Sequence, residues 1–171
     1  RMKECEGDLY YVITADDIHE VYKKEIRKPL SFEDKVHVIV QRVYQMYRGL
    51  GVIDEIRDMK IDGVSGGVSG VPSQINDIDD ELNFYKRMSN RPMDINSVWI
   101  MFKGKTIHLE FLSFGSELEL KRICQNIYKY KNPGQLNETN GFIVNELYDG
   151  SRIVVFRPPF SESWAFFNRK F

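Results

Sequence analysis

The chain has 171 residues, enough for one domain or for a small domain with an appendage. Its 24 basic residues nearly balance its 25 acidic residues, and the net charge of −1 argues against nucleic acid as a partner. No apolar run approaches the roughly 18 residues of a membrane span. Cys5 and Cys124 lie far apart without a CxxC motif, so we interpret them as reduced thiols of a cytosolic protein rather than as a disulfide or a zinc site.

Two amphipathic helices are predicted near the beginning of the chain, after residues 1–13, which are expected to be ordered only in part. Thr14 is the expected cap of the first helix, which ends before Pro29, and Ser31 is the expected cap of the second. Their apolar residues recur at the helical spacings of three and four. These residues are Ile18, Val21, Tyr22, Val36, Ile39, Val40, Val43, Met46 and Tyr47. Because both stripes need a partner surface, residues 14–48 are interpreted as a helical cap.

The middle of the chain contains a predicted β-hairpin. Residues 98–103 and 107–111 alternate apolar and polar side chains around a glycine turn. Before them, residues 61–71 carry isolated β-branched residues among glycines, which predicts one or two weak strands. Residues 73–96 are polar, and we interpret them as an insertion with a helix over about residues 78–88.

The last part of the chain is predicted to combine one helix with several strands. Ser116 is the expected cap of the helix. Its apolar stripe consists of Leu120, Ile123, Cys124 and Ile127. Strands are predicted at residues 142–147, 153–156 and 164–168. The order of helices, strands, helix and strands predicts an α+β fold with helices on one face of a mostly antiparallel sheet.

One short motif matches part of a nucleotide site, but its context argues against that reading. Gly104-Lys105-Thr106 matches the end of a phosphate-binding loop, whereas Trp99 stands where that loop needs another glycine. The tripeptide also lies in the predicted hairpin rather than between a strand and a helix. No catalytic residue is therefore assigned, and the chain is not expected to hydrolyse a nucleotide by itself. The three histidines lack a metal-ligand spacing, so no metal site is expected.

Two arginines are the candidate functional residues. Arg152 follows Asp149-Gly150, a pair that predicts a two-residue hairpin turn with positive φ at both positions. Arg169 lies in the basic end of the chain, so two permanent cations are expected near one end of a sheet. The sequence around Arg152 and Arg169, taken alone, favours ordinary exposed arginines. Without further motifs, the sequence indicates only a soluble α+β domain.

A set of short motifs occurs in a defined order over residues 31–171. The motifs are Gly49-Leu50-Gly51-Val52-Ile53-Asp54, a strand pair, a helix around Arg122, Ile143-Val144, Asp149-Gly150-Ser151-Arg152, Pro158-Pro159 and Arg169-Lys170-Phe171. In this order they resemble the N-terminal domain of the type II and type IV secretion ATPases, most nearly those of tight-adherence pili and archaeal-type pili. The chain departs from that pattern at Gln135, Phe142 and Asn168, where the family usually has arginine, proline and isoleucine, respectively.

The resemblance implies a PAS-like α+β domain over residues 49–171, preceded by a helical region at residues 1–48 and followed, in a longer protein, by a C-terminal ATPase domain. It implies a hexameric ATPase that uses ATP and Mg to power protein secretion or pilus assembly in the cytoplasm, at the inner face of the membrane, with platform proteins as partners. The N-terminal domain of such a protein closes over the nucleotide and supplies arginines to its phosphates. By that resemblance Arg152 and Arg169, with Arg122 as a third, are the nucleotide-binding residues. No cofactor is expected to bind the present chain tightly.

Two alternatives stay open, and neither needs a nucleotide. One is a PAS-like sensory module in which aromatic residues line an apolar pocket for a small ligand. Those aromatic residues are Trp99, Phe102, Phe111, Trp164 and Phe166. The other is a docking module in which residues 14–48 bind a membrane partner of the secretion machinery.

Overall fold

The computed structural model describes residues 1–5, 8–67, 95–131 and 134–170. These residues form one eight-stranded mixed sheet, three α-helices and a short 3-10 helix, which together make an α+β fold. The strands are β1 (Met2–Cys5), β2 (Asp8–Ile13), β3 (Gly63–Gly66), β4 (Ser97–Phe102), β5 (Lys105–Ser113), β6 (Phe142–Glu146), β7 (Arg152–Phe156) and β8 (Ala165–Arg169). The helices are α1 (Ala15–Glu25), α2 (Phe32–Tyr47), α3 (Glu117–Tyr128) and the 3-10 helix (Gly51–Glu55).

The strands lie in the order β1-β2-β5-β4-β3-β8-β7-β6. Within the described part of the chain, β2 and β5 are the parallel pair and the other neighbours are antiparallel, so the prediction of a mostly antiparallel sheet is confirmed. Most of residues 1–13 forms β1 and β2 at one edge of the sheet, and neither strand was predicted from the sequence. Residues 73–94 of the predicted insertion, with the helix over residues 78–88, lie outside the described residues.

The α-helices begin where the sequence predicts. Thr14 and Ser31 cap α1 and α2, and each side-chain oxygen accepts a hydrogen bond from a backbone N–H three residues along, at 3.3 and 3.1 Å. Asp17 and Asp34 complete these capping boxes by accepting from the backbone N–H of the cap residue at 2.9 Å. Ser116 caps α3, because its side-chain oxygen accepts a hydrogen bond from the backbone N–H of Glu119 at 3.2 Å. These contacts satisfy N–H groups that have no partner inside the helix.

The core lies between α3 and one face of the sheet. Side chains alternate along each strand, so every second residue of the central strands faces α3. The most deeply buried of these are Val64, Val98, Ile153, Val155 and Phe166. α3 buries Leu120, Ile123, Cys124, Ile127 and Tyr128. The predicted stripe is thus confirmed, and burial within it raises the pKa of the Cys124 thiol to about 12, so this thiol stays protonated at neutral pH.

The turn between β4 and β5 contains the motif that matches part of a phosphate-binding loop. Lys103 and Gly104 have φ angles of 50° and 72°, and positive φ at both central positions is the geometry of a two-residue hairpin turn. Lys105 and Thr106 already belong to β5. The motif therefore lies in a tight hairpin and not at the start of a helix, as the sequence predicts.

The connection between β6 and β7 differs from the prediction. Glu146 pairs with Arg152, so residues 147–151 all lie between the strands. Within that connection Gly150 is the described residue with positive φ, at 78°. The prediction of a two-residue turn at Asp149-Gly150 is therefore wrong, because the loop is longer and only its glycine adopts the left-handed region.

α1 and α2 leave their apolar side chains exposed. α1 contains no buried residue, and α2 buries only Gln45. On α2, Phe32 is 81% exposed and Ile39 is 63% exposed. The interpretation of residues 14–48 as a cap for a partner surface stays a prediction. None of the described helices combines the length and the apolar character that crossing a membrane would require.

Candidate functional site

Arg152 and Arg169 lie side by side on the sheet. Arg152 is the first residue of β7, Arg169 is the last residue of β8, and the antiparallel register pairs them directly. Side chains that are directly opposite in such a pair have Cβ atoms about 4.5–5.5 Å apart. Both arginines are exposed. The structure therefore brings the two arginines predicted from the sequence to one position on one face.

The arginine pair lines a surface depression of about 460 Å³. Its floor is largely apolar and includes Val144, Val154 and Phe167. These residues are exposed or half-buried because strand alternation turns them away from α3. The depression thus places two guanidinium groups beside a surface that a flat organic group can cover.

The charges around the depression favour an anion. Arg152 and Arg169 bring two positive charges to directly opposite positions of an antiparallel strand pair. Asp62 is an acidic residue at the same depression, and its Oδ2 accepts a hydrogen bond from the backbone N–H of Lys103 at 2.6 Å. This contact binds one oxygen of the carboxylate to the β4–β5 turn. The arrangement of Arg152 and Arg169 therefore suits a phosphate, whose oxygens accept from planar guanidinium groups.

Arg122 does not join this pair. Its Nε and Nη2 donate to the two carboxylate oxygens of Glu119 at 2.7 and 2.6 Å. Its Nη1 donates to the carbonyl oxygen of Gly49 at 2.9 Å, and Nη2 also reaches the carbonyl oxygen of Gln45 at 3.3 Å. The hydrogen bonding of the Arg122 guanidinium to the Glu119 carboxylate is the main cause of the raised pKa of Arg122. Arg122 thus ties the C-terminal end of α2 to α3.

The Gly-Leu-Gly motif has a structural explanation. A Cβ on Gly49 would lie 2.2 Å from Oδ2 of Asp54, and that oxygen accepts a hydrogen bond from the N–H of Leu50 at 2.6 Å. Gly51 has a φ of 56°, and a Cβ there would lie 2.8 Å from Oε1 of Glu119. The glycines therefore allow the chain to leave α2 and turn closely around Asp54 and α3.

A second cavity, of about 330 Å³, lies on the side of β7 and β8 that faces α3 and the 3-10 helix. Ile53, Ile127 and Phe166 are among its walls. Of the aromatic residues predicted to line a pocket, Phe166 is the one found among the described lining residues. Sequence reasoning missed the other walls because the cavity forms where segments distant in sequence meet. The available signal was Asn168, which stands where the resembling family usually has isoleucine.

Trp99 has a different role from the predicted pocket lining. Its ring stacks on His108, with the ring centroids 4.6 Å apart, and meets the edge of Tyr10 at 5.4 Å. Burial lowers the pKa of His108, whose Nδ1 has no hydrogen-bond partner in the described part of the chain. Among the residues that the structure describes, no group of three or more His, Cys, Asp or Glu side chains is arranged to hold a metal ion.

No protein-family model matches the sequence, and no curated protein matches it. Among solved structures, the chain is similar to the VirB11 ATPase of the Brucella suis type IV secretion system in complex with sulphate, with 13% sequence identity and a TM-score of 0.44. The match covers 71% of this chain and 30% of the VirB11 chain. A similarity at this level carries no argument about function, which is inferred from the sequence motifs and the arginine pair.

Proposed function

We propose that this chain is the nucleotide-capping N-terminal domain of a hexameric ATPase that drives protein secretion or pilus assembly. In this proposal Arg152 and Arg169 contact the phosphates of an ATP molecule that a C-terminal domain binds with Mg. The observation that carries the proposal is the direct cross-strand pairing of the two arginines on an exposed face. The ordered sequence motifs support the proposed class of protein, and the pairing of the arginines supports the proposed site.

The chemistry of guanidinium groups supports this role. Each group presents a planar fork of N–H donors that matches two phosphate oxygens, and it keeps its charge at any physiological pH. Two guanidinium groups on neighbouring strands, on the same face of the sheet, can bind one polyphosphate together. Arginines placed in this way stabilise the charge that develops on a transferring phosphoryl group. They also couple the position of the domain to the state of the nucleotide, which is a route from hydrolysis to movement.

The role is one of capping and not of hydrolysis. Gly104, Lys105 and Thr106 lie in the β4–β5 hairpin, which lacks the loop-to-helix geometry that cradles phosphates. Arg122 is left out of the proposed site because its donors are taken by Glu119 and by backbone carbonyl oxygens. Platform proteins at the inner face of the membrane and a cytoplasmic location belong to the same proposal.

The first experiment compares residues 1–171 with a longer protein that carries the C-terminal ATPase domain required by the proposal. We expect ATP hydrolysis only from the longer protein. In that protein, Arg152→Ala and Arg169→Ala should each lower kcat by roughly 100-fold, as expected for donors that stabilise charge in the transition state. Arg27→Ala, which changes an exposed arginine outside the depression, is the control and should leave kcat unchanged.

Two results would contradict the proposal. One is hydrolysis at an enzyme-like rate by residues 1–171 alone. The other is a kcat like that of the unmodified longer protein in both Arg152→Ala and Arg169→Ala. The first result would overturn the capping role, and the second would remove the phosphate contact as the role of the arginine pair.

A further inference from the structure

A continuous run of exposed residues extends over most of α1 and α2 and the loop between them. Every residue from position 18 to position 44 is exposed, and we call this stretch the helical arm. Twelve of its residues are large and apolar, and each of these is at least 38% exposed. Apolar side chains that stay exposed along two helices mark an interaction surface. The chemistry of the arm indicates what that surface binds.

The junction between α1 and α2 combines positive charge with apolar side chains. Residues 22–32 read YKKEIRKPLSF and contain one carboxylate, that of Glu25. Tyr22 begins this segment and Phe32 ends it, and their side chains are 45% and 81% exposed. The cations of the segment are Lys23, Lys24, Arg27 and Lys28. Clustered cations beside exposed aromatic and aliphatic side chains are typical of segments that bind the surface of an anionic membrane.

Acidic side chains near the junction are mostly engaged within the arm. Asp17 and Asp34 accept hydrogen bonds from the backbone N–H groups of the two cap residues at 2.9 Å, where a negative charge also suits the positive end of the helix dipole. Glu20 pairs with Lys24 at 2.7 Å on α1. The junction cations that form no ion pair with the described part of the chain are Lys23, Arg27 and Lys28. These three cations are therefore available to an anionic surface.

The apolar face of α2 is broader than the seam that one partner helix would cover. Ile39 and Tyr44 are 63% and 58% exposed, and at 3.6 residues per turn they lie about 140° apart around the helix. Val40 and Val43 lie between them on the same face and are also exposed. A coiled-coil seam is a narrower stripe, whereas the apolar interior of a bilayer is continuous and accepts a broad face. The width of this face and the adjacent cations both favour a lipid surface.

We infer that the helical arm binds the surface of a membrane that contains anionic lipids. The junction cations contact the phosphate groups of the lipids, Tyr22 and Phe32 enter the interface, and the apolar face of α2 lies along the bilayer. The contact is with the lipid itself, so the inference goes beyond the platform proteins of the proposed function. It does not depend on the contact of Arg152 and Arg169 with a nucleotide.

The test measures binding of the 171-residue chain to lipid vesicles by sedimentation. One set of vesicles is pure phosphatidylcholine, and the other contains phosphatidylcholine and anionic phosphatidylglycerol in equal parts. We expect binding to the anionic vesicles to be at least about 10-fold tighter and to weaken as salt is added, because salt screens exposed charges. Absence of binding to the anionic vesicles, or equal binding to both sets, would overturn the inference. A dimer in solution that does not bind vesicles would assign the arm to a second copy of the chain instead.

A pair of charge variants locates the contact. Lys23→Gln combined with Lys28→Gln should weaken binding to the anionic vesicles by about 25-fold, at roughly 5-fold for each cation near the surface. Lys60→Gln combined with Lys121→Gln removes the same charge from exposed positions outside the arm and should leave binding unchanged. An equal loss in both double variants would mean that only the total charge matters, and it would contradict binding through the arm.

A pair of aromatic variants tests whether the arm enters the interface. Phe32→Ser should weaken binding by about 10-fold, since a phenylalanine side chain gains free energy when it leaves water. Tyr148→Ser is the control, because Tyr148 is an aromatic residue that is 91% exposed in the β6–β7 connection. Unchanged binding of Phe32→Ser, or an equal loss in Tyr148→Ser, would contradict insertion of the arm.

Discussion

α3 and α2 have similar sequence patterns and opposite surroundings. Both begin at a capping serine and both carry apolar residues at helical spacing. α3 buries five residues against the sheet, whereas α2 buries only Gln45 and leaves Ile39 63% exposed. An apolar stripe therefore predicts a helix with some partner, but it does not say whether that partner belongs to the same domain.

Because α3 is buried and α2 is exposed, we expect the two helices to contribute differently to the stability of the domain. Stability of the folded domain should depend on α3, since its side chains are part of the only large core cluster in the described part of the chain. α2 is held mainly near its C-terminal end, where Arg122 binds the carbonyl oxygens of Gln45 and Gly49 and Arg42 forms a 2.6 Å ion pair with Glu55. The apolar side chains of α1 and α2 are available to a partner, as the docking hypothesis for residues 14–48 requires.

The largest expected contrast comes from truncating one isoleucine in each helix. Ile123→Ala on α3 removes a side chain with no exposed area and should lower the free energy of unfolding by about 2–5 kcal/mol. Ile39→Ala on α2 should change it by no more than about 0.5 kcal/mol. Urea unfolding followed by tryptophan fluorescence measures both values. A cost for Ile39→Ala as large as that for Ile123→Ala would mean that the stripe of α2 is covered in solution.

A smaller loss of stability is expected from removing Arg122, which joins α2 to α3. Arg122→Leu removes the hydrogen bonds to Glu119, Gln45 and Gly49, and the loss should be about 1–2 kcal/mol because the side chain is 27% exposed and partly screened. Hydrogen exchange of the amides over residues 44–50 should become faster. The exposed neighbour Lys121→Leu is the control. Unchanged exchange in Arg122→Leu would show that the guanidinium does not hold α2 in place.

The helix caps provide a matched pair with a smaller effect still. Ser116→Ala removes the cap of α3 and should lower the free energy of unfolding by about 1 kcal/mol. Ser31→Ala removes an equivalent cap from α2 and should reduce the helical circular dichroism signal without moving the urea midpoint. If Ser31→Ala shifts the midpoint as far as Ser116→Ala does, α2 unfolds together with the core and the contrast between the helices fails.

A pH titration gives the smallest expected effect. Because burial lowers the pKa of His108, the unfolded chain takes up a proton at a higher pH than the folded chain. Stability is then fully present above the unfolded value of about 6.5 and decreases as the pH falls below it. His108→Phe should remove this part of the pH dependence, whereas the exposed α2 residue His37→Gln should not. Identical slopes for the unmodified chain and His108→Phe would contradict the buried state of His108.

The sequence predicted the local elements well and the distant contacts poorly. The caps at Thr14, Ser31 and Ser116 and the alternation of β4 and β5 depend on residues close in the chain, so their patterns are visible. β2 was missed because it pairs in parallel with β5, from residues almost a hundred positions away. The β6–β7 loop was predicted too short, since Asp149-Gly150 marks a turn but does not fix its length.

In the candidate site, too, the features set by nearby residues could be predicted, and those set by distant contacts could not. Arg152 and Arg169 could be selected from their places beside a turn and at the end of a strand, and the register of β7 and β8 brings them together. The position of Arg122 could not be predicted, because its partners Gly49 and Gln45 come from a different part of the chain. The second cavity escaped prediction for the same reason, because its walls come from segments that are distant in sequence.

The most direct measurement asks whether one phosphate chain reaches both guanidinium groups. Tripolyphosphate is titrated into residues 1–171 while the Nε–Hε NMR signals of Arg152, Arg169 and the control Arg27 are followed. We predict that the signals of Arg152 and Arg169 shift with one common Kd, that Arg27 does not shift, and that Arg169→Ala weakens the Kd reported by Arg152 by about 10-fold, as for the loss of a charge-assisted contact. Separate Kd values for the two arginines, or an Arg152 titration unaffected by Arg169→Ala, would contradict a shared phosphate site.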